Sequence, residues 1–141
     1  MRRAEPADAA ELAKLLGELG YPAAAEEIPS RLKRLAEGGG VALVAASEGR
    51  VVGVATVHLF PALHTPTPVA HLTALVVGES QRGRGIGKRL VAAAVALAEE
   101  AGCSRIVVGT AEHRAGAHAF YESIGWEYTG RRFARLLSRH S

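Results

Sequence analysis

A single cysteine, Cys103, excludes an internal disulfide and any cysteine-rich metal site. In its apolar stretch that thiol reads as a small core residue. No segment reaches the ~18 uninterrupted apolar residues of a membrane span. The opening Met1-Arg2-Arg3-Ala4-Glu5-Pro6-Ala7-Asp8 holds no apolar signal-peptide core. The expectation from these absences is a soluble, cytoplasmic protein with no membrane partner. Charge of one sign is scarce as well: 17 Lys and Arg against 14 Asp and Glu leave a net +3. That is no global basic field for wrapping nucleic acid. Internal repeats, linkers and low-complexity tails are absent. With 48% hydrophobic residues the chain is not disordered, and its 141 residues suit one domain, 1–141, with a real core.

What charge there is gathers in two places. Arg82, Arg84, Lys88 and Arg89 stand against Glu79 alone, and Arg131, Arg132, Arg135 and Arg139 against Glu127 alone. The first cluster overlaps a glycine-rich turn, which suits a small phosphorylated ligand. The second lacks the paired aromatics that stack on nucleotides; Phe133 stands by itself there. Its alternation over 131–137 reads instead as a strand with a charged outer face.

Element signals are regular. Asp8 with Glu11 resembles a capping box, and Leu12, Leu15, Leu16 and Leu19 make one helical face. A second helix starts near Pro29, turns Ile28, Leu32 and Leu35 inward, and stops at Gly38-Gly39-Gly40. Val41–Ala46 and Val51–Leu59 form a hairpin about Ser47-Glu48-Gly49-Arg50, and three prolines mark 60–68 as an irregular connection. Val69–Val77 is a strand. Ile86, Leu90, Ala94, Leu97 and Ala101 make the apolar stripe of the next helix, and Arg105–Thr110 is a β-branched strand. That βαβ unit predicts a parallel pair. A short helix over about 114–124 follows, then short strands at Trp126–Thr129 and Phe133–Leu137. The whole argues for a mixed α/β fold, an α+β type built on one mixed sheet.

The strand–glycine loop–helix over residues 69–101 carries the chemistry. Backbone N–H groups at a helix N-terminus are unpaired and carry partial positive charge. Glycines let a diphosphate approach those donors, and Arg82, Arg84 and Lys88 add charge at the rim. Neither a P-loop nor the dinucleotide fingerprint fits the spacing. Taken alone, Gly-x-Gly also describes a tight, closely packed turn.

The pattern Gln81-x-x-Gly83-x-Gly85 with Gly87, directly after Leu75-Val76-Val77, resembles the coenzyme A signature of the GNAT superfamily of N-acetyltransferases. Phe120-Tyr121-Glu122-Ser123-Ile124-Gly125-Trp126 resembles that family's second signature, and the element order from Asp8 to Leu137 agrees. The resemblance implies a GNAT-like fold: a central, mostly antiparallel sheet with one splayed parallel pair and helices on both faces. It implies acetyl-CoA as cosubstrate, an amine as acceptor and no metal. Backbone amides of Arg82, Gly83, Arg84, Gly85, Ile86, Gly87 and Lys88 would then cradle the diphosphate. Leu75, Val76 and Val77 would pair with the pantetheine arm like an added strand. An N–H of Val76 or a neighbour would polarise the thioester carbonyl. Tyr121 matches the family tyrosine that protonates the departing thiolate.

Two positions depart from the family. Where many relatives carry a Glu base stands Thr73, followed by Ala74. His71 lies two residues earlier on the same strand face. Two readings of His71 stand: a proton relay through a water held by Thr73, or a residue filling a partly polar strand edge. Arg114 occupies the place of an Asn that contacts the pantetheine arm, and could reach a phosphate or only solvate the helix start. His113 and His118, five apart, make no metal pair, and His58 and His64 read as surface or as lining of an acceptor pocket. Three functions compete: an N-acetyltransferase, a quiet acyl-CoA-binding sensor, and a basic nucleic-acid-binding domain. Tyr121 and the intact loop favour the first. A homodimer through the last strands stays open, as does the acceptor's identity.

Overall fold

The computed structural model describes residues 1–109, 115–129 and 134–137. They fall into two compact units, 1–108 and 109–141. In the first, strand β1 (Arg2–Arg3) leads to helices α1 (Ala9–Leu19) and α2 (Ile28–Glu37). Strands β2 (Gly40–Ser47), β3 (Arg50–Phe60) and β4 (Val69–Val77) follow, then helix α3 (Ile86–Glu100) and strand β5 (Ile106–Val108). The sheet runs β1-β2-β3-β4-β5. Its first three pairings are antiparallel and β4–β5 is parallel, as the βαβ pattern predicts.

Cross-strand register explains where the core sits. Val44 lies opposite Val54, and Val54 opposite Val76, so the three share a face. They are buried with Leu12, Leu15 and Ile28 of α1 and α2. Gly53 points the other way, toward α3. A Cβ there would lie 3.0 Å from Leu90 Cδ1 and 3.4 Å from Ile86 Cγ2, so glycine lets these side chains of α3 approach the strand without being pushed back. Helices thus cover both faces. The hairpin turn has Glu48 and Gly49 at φ 54° and 77°, the type I′ geometry that matches strand twist.

Four expectations change. Glu11 does not cap α1: its carboxylate accepts the Val51 N–H at 2.8 Å, far along the chain. Asp8 instead accepts the Glu5 N–H at 2.8 Å and both terminal nitrogens of Arg2 at 2.9 Å. The Arg2 hydrogen bonds hold the Asp8 carboxyl below the usual range. Along α3 the buried stripe is Ile86, Leu90, Val91, Ala94 and Ala98; Leu97 is half-buried and Ala101, past the helix end, is exposed. Strand β5 keeps only three residues of the expected 105–110, and Thr110 lies outside the described residues. In the second unit, α4 (Ala115–Ser123) forms, but Trp126–Thr129 is no strand. The Trp126 N–H folds back on Tyr121 O at 3.0 Å, closing the helix end. Phe133 lies outside the described residues, and Leu137 makes a single bridge. Alternation marks the faces of an extended segment but supplies no partner, and a strand exists only through its partner.

Candidate functional site

Strand β4 changes its hydrogen-bonding sense along its length. Thr56 pairs with Ala74 but Val57 with Leu72, leaving Thr73 as the extra residue of a β-bulge. Before the bulge, Ala70 donates to Arg105 O beside β5 at 3.3 Å. After it, Gly78 donates to Val52 O of the β3 side at 2.8 Å. Alternation then turns the N–H and C=O of Val76 toward β3, and those of Leu75 and Val77 toward the opposite edge. The parallel ladder with β5 stops at Leu72–Val108. Among the described residues, no strand covers the Thr73–Val77 edge. The N–H groups that face this edge are therefore those of Leu75 and Val77, the two neighbours of Val76, while the Val76 side chain is buried in the core.

The turn after β4 is tightly built. A short 3₁₀ segment, Glu79–Gln81, leads into Gly83 at φ +83° and Gly85 at φ +77°. A Cβ at either glycine would meet nothing within 4 Å. Close packing therefore does not explain these glycines; their left-handed backbone does. Arg89 N–H is the first to reach a carbonyl of the helix start, Gly85 O at 3.1 Å. The N–H groups just before it have no intrahelical acceptor, as an anion cradle requires. The residues present fit a diphosphate.

The rim is less cationic than the sequence suggests. Arg82 Nε donates to Val77 O at 3.1 Å, and its guanidinium lies 3.8 Å from the Glu18 carboxylate of α1. Arg84 donates to Gln81 Oε1 at 3.2 Å and, with Arg89, lines a cleft of about 340 Å³ beside the loop. Lys88 is exposed in the first turn of α3. Glu18 was missed by sequence reasoning, because it stands 61 residues from the Glu79 N–H it binds at 2.9 Å. A polar residue on an amphipathic helix gives no signal of that kind.

His71 is exposed on β4 opposite His58, and its ring stands edge-on to Phe60 with centroids 5.6 Å apart. Thr73 bonds Thr56 Oγ1 at 2.7 Å and Thr56 O at 3.2 Å. Thr56 and His58 share one face of β3, so His71 and Thr73 do lie on a common face. The Thr73 hydroxyl is engaged on both counts, with one lone pair left for a water. His58 is half-buried and His64 exposed. Arg114 and His113 lie outside the described residues. In the second unit, Tyr121 is 8% exposed, with Phe120 and Trp126 ring centroids each 5.2 Å away. Burial pushes its hydroxyl up to about 12. Among the described residues, no three His, Cys, Asp or Glu side chains converge on a metal position.

Residues 10–126 match the model of the Acetyltransferase (GNAT) family. The chain belongs to this family. GNAT relatives include the aminoglycoside N(6′)-acetyltransferase type 1 of Stenotrophomonas maltophilia, 35% identical over 93% of this chain and 88% of that protein. Human N-acetyltransferase 8B is 36% identical over 76% of this chain, which spans about half (49%) of that relative's length. Among solved structures, an acetyltransferase of Trypanosoma brucei superposes with TM-score 0.85 at 27% identity, covering 96% of this chain and 97% of that one. The GNAT fold and an acetyl-CoA-dependent acetyltransferase follow from these together.

Proposed function

We propose that residues 1–141 form one N-acetyltransferase domain that moves acetyl from acetyl-CoA to a primary amine by direct attack. The observation that carries this reading is the pairing of a β4 edge that no described strand covers with a positive-φ glycine turn at the α3 N-terminus. The turn's N–H groups take the diphosphate, and Leu75 to Val77 guide the pantetheine arm toward the bulge. The amine nitrogen bonds to the thioester carbonyl carbon, the C–S bond breaks, and the sulfur leaves as thiolate. Holding both reactants in attack geometry supplies much of the rate. N–H groups of Leu75 or Val77 stabilise the oxyanion.

The acceptor must first lose a proton, and His71 takes it through a water that hydrogen-bonds Thr73. Tyr121 serves as the acid toward the thiolate. It is a phenol throughout the neutral range, and burial extends that range upward. With a pKa of about 12, it is a weaker acid than an ordinary thiol, whose pKa is near about 8.5. Its hydrogen bond to the developing thiolate therefore comes first; its proton passes to sulfur last, and the second proton shed by the acylated nitrogen restores the phenol. Arg114 is assigned to the cofactor's phosphate side. The relatives act on amine acceptors of varied kinds by name, an aminoglycoside and an aminoalkylphosphonate among them.

The test is a thiol-release assay with acetyl-CoA against amines, polyamines, aminoglycosides, amino acids and peptides. Turnover with at least one acceptor is expected. CoA binding without turnover on any of them would sink the enzymatic reading in favour of an acyl-CoA sensor, for which the absent Glu base is the motive.

A further inference from the structure

We propose that Glu18 is a positioning residue for the cofactor loop, a strut from α1 that presets the turn on which the diphosphate sits. This rests on the reading of that loop as the CoA site.

Glu18 lies near the C-terminal end of α1, and its side chain is 23% exposed, against 55% for Arg82. One carboxylate oxygen, Oε1, accepts the Glu79 N–H at 2.9 Å and faces the Arg82 guanidinium at 3.8 Å. Glu79 opens the 3₁₀ segment, whose own bonds are Gln81 N–H to Gly78 O at 2.8 Å and Arg82 N–H to Glu79 O at 3.4 Å. Arg82 then returns to β4 through Nε–H to Val77 O. A Cβ on Gly78 would touch Leu15 Cδ2 at 3.7 Å, so α1 packs against the same turn. The last residue of β4, the start of the turn and α1 are thus tied at one carboxylate.

Two consequences follow. The Val77 carbonyl, which faces the open edge, is held by Arg82 and withdrawn from pairing with the pantetheine arm. Arg82's charge is partly met by Glu18, so the phosphate-facing charge comes from Arg84 and Lys88. Of the two Glu18 contacts, the exposed ion pair is the weaker. The charge-assisted bond to a backbone N–H directly orders the loop. A loop already in its bound shape loses less entropy on binding.

Calorimetric titration of the full chain with CoA, and with pantetheine at millimolar concentration, tests this. Pantetheine lacks the diphosphate. Glu18→Ala is expected to raise the Kd for CoA about tenfold, the scale of one charge-assisted hydrogen bond, and to leave pantetheine unchanged. With acetyl-CoA its KM rises in step while kcat stays within about twofold. Glu18→Gln keeps an oxygen for the Glu79 N–H and is expected to restore affinity to within about threefold of wild type. Should the alanine variant fold poorly, Glu18→Asp withdraws the oxygen by one methylene, keeps the charge and weakens CoA in the same sense. Equal weakening toward CoA and pantetheine, or unchanged CoA affinity in the Ala and Asp variants, overturns the proposal. A wild-type chain that fails to bind CoA overturns the reading of the loop and this strut with it; a wild type that binds no better than the variants overturns the strut alone.

Discussion

Replacing Tyr121 by Phe separates two roles of one hydroxyl. The hydroxyl's pKa rises by burial from 10.0 to about 12. The folded chain therefore keeps its proton where the unfolded chain has lost it. The stabilising contribution is whole below about pH 10 and disappears as pH climbs from about 10 to about 12. Two units at about 1.36 kcal/mol each give a loss near 3 kcal/mol. A phenylalanine ring has no such proton to lose, so the Tyr121→Phe chain should shed about 2 kcal/mol less between pH 9 and pH 12, where the folded group is half ionised. All other groups are common to both proteins and cancel in the difference. At pH 7 the change removes only a hydroxyl from a ring packed between Phe120 and Trp126, and stability should move by about 1 kcal/mol or less. Urea unfolding of both proteins over this pH series is the assay. Parallel curves would refute burial as the cause. For function, Tyr121→Phe should lower kcat by about 10² to 10⁴, the usual share of a general acid. A kcat within threefold of wild type, alongside the altered pH–stability curve, would leave Tyr121 a purely structural residue.

His71→Ala should lower kcat/KM by about 10²-fold and remove the rising limb of the pH–rate profile; an unchanged profile eliminates the relay through Thr73. Gly85→Ala places a Cβ at φ +77° in open space, so the cost is backbone strain alone, about 1–2 kcal/mol. Thermal unfolding should report that loss, and CoA titration a weaker Kd. Asp8→Asn removes a carboxylate whose pKa lies below its ordinary value because of Arg2. Its contribution is present above the unfolded pKa and lost as pH falls through the folded one. Acid titration should show wild type losing more stability than the variant between about pH 5 and pH 2.

Local periodicity and turn chemistry determine much of this protein directly. Period-two runs specify β2, β3 and β4 to within a residue or so, because their cross-strand partners are adjacent in sequence. The Gly83–Gly85 turn and the apolar stripe from Ile86 place the cofactor loop, since positive φ and a buried face are both local demands. Family membership rests on a match over residues 10–126, which include this loop.

Other features exist only through contacts between distant segments. In sequence Glu11 reads as a cap and Glu18 as a solvated helix residue, whereas in the fold they accept the Val51 and Glu79 N–H groups. The bulge at Thr73 reverses which backbone groups face the open edge, so that Leu75 and Val77 replace Val76 there. No side-chain pattern records a one-residue slip in register. Trp126–Thr129 shows the converse, an extended-looking segment that is not a strand among the described residues. The cofactor loop was therefore legible as chemistry, while its preorganisation and the orientation of the β4 edge were decided by tertiary packing, because both depend on which backbone donors remain unpaired.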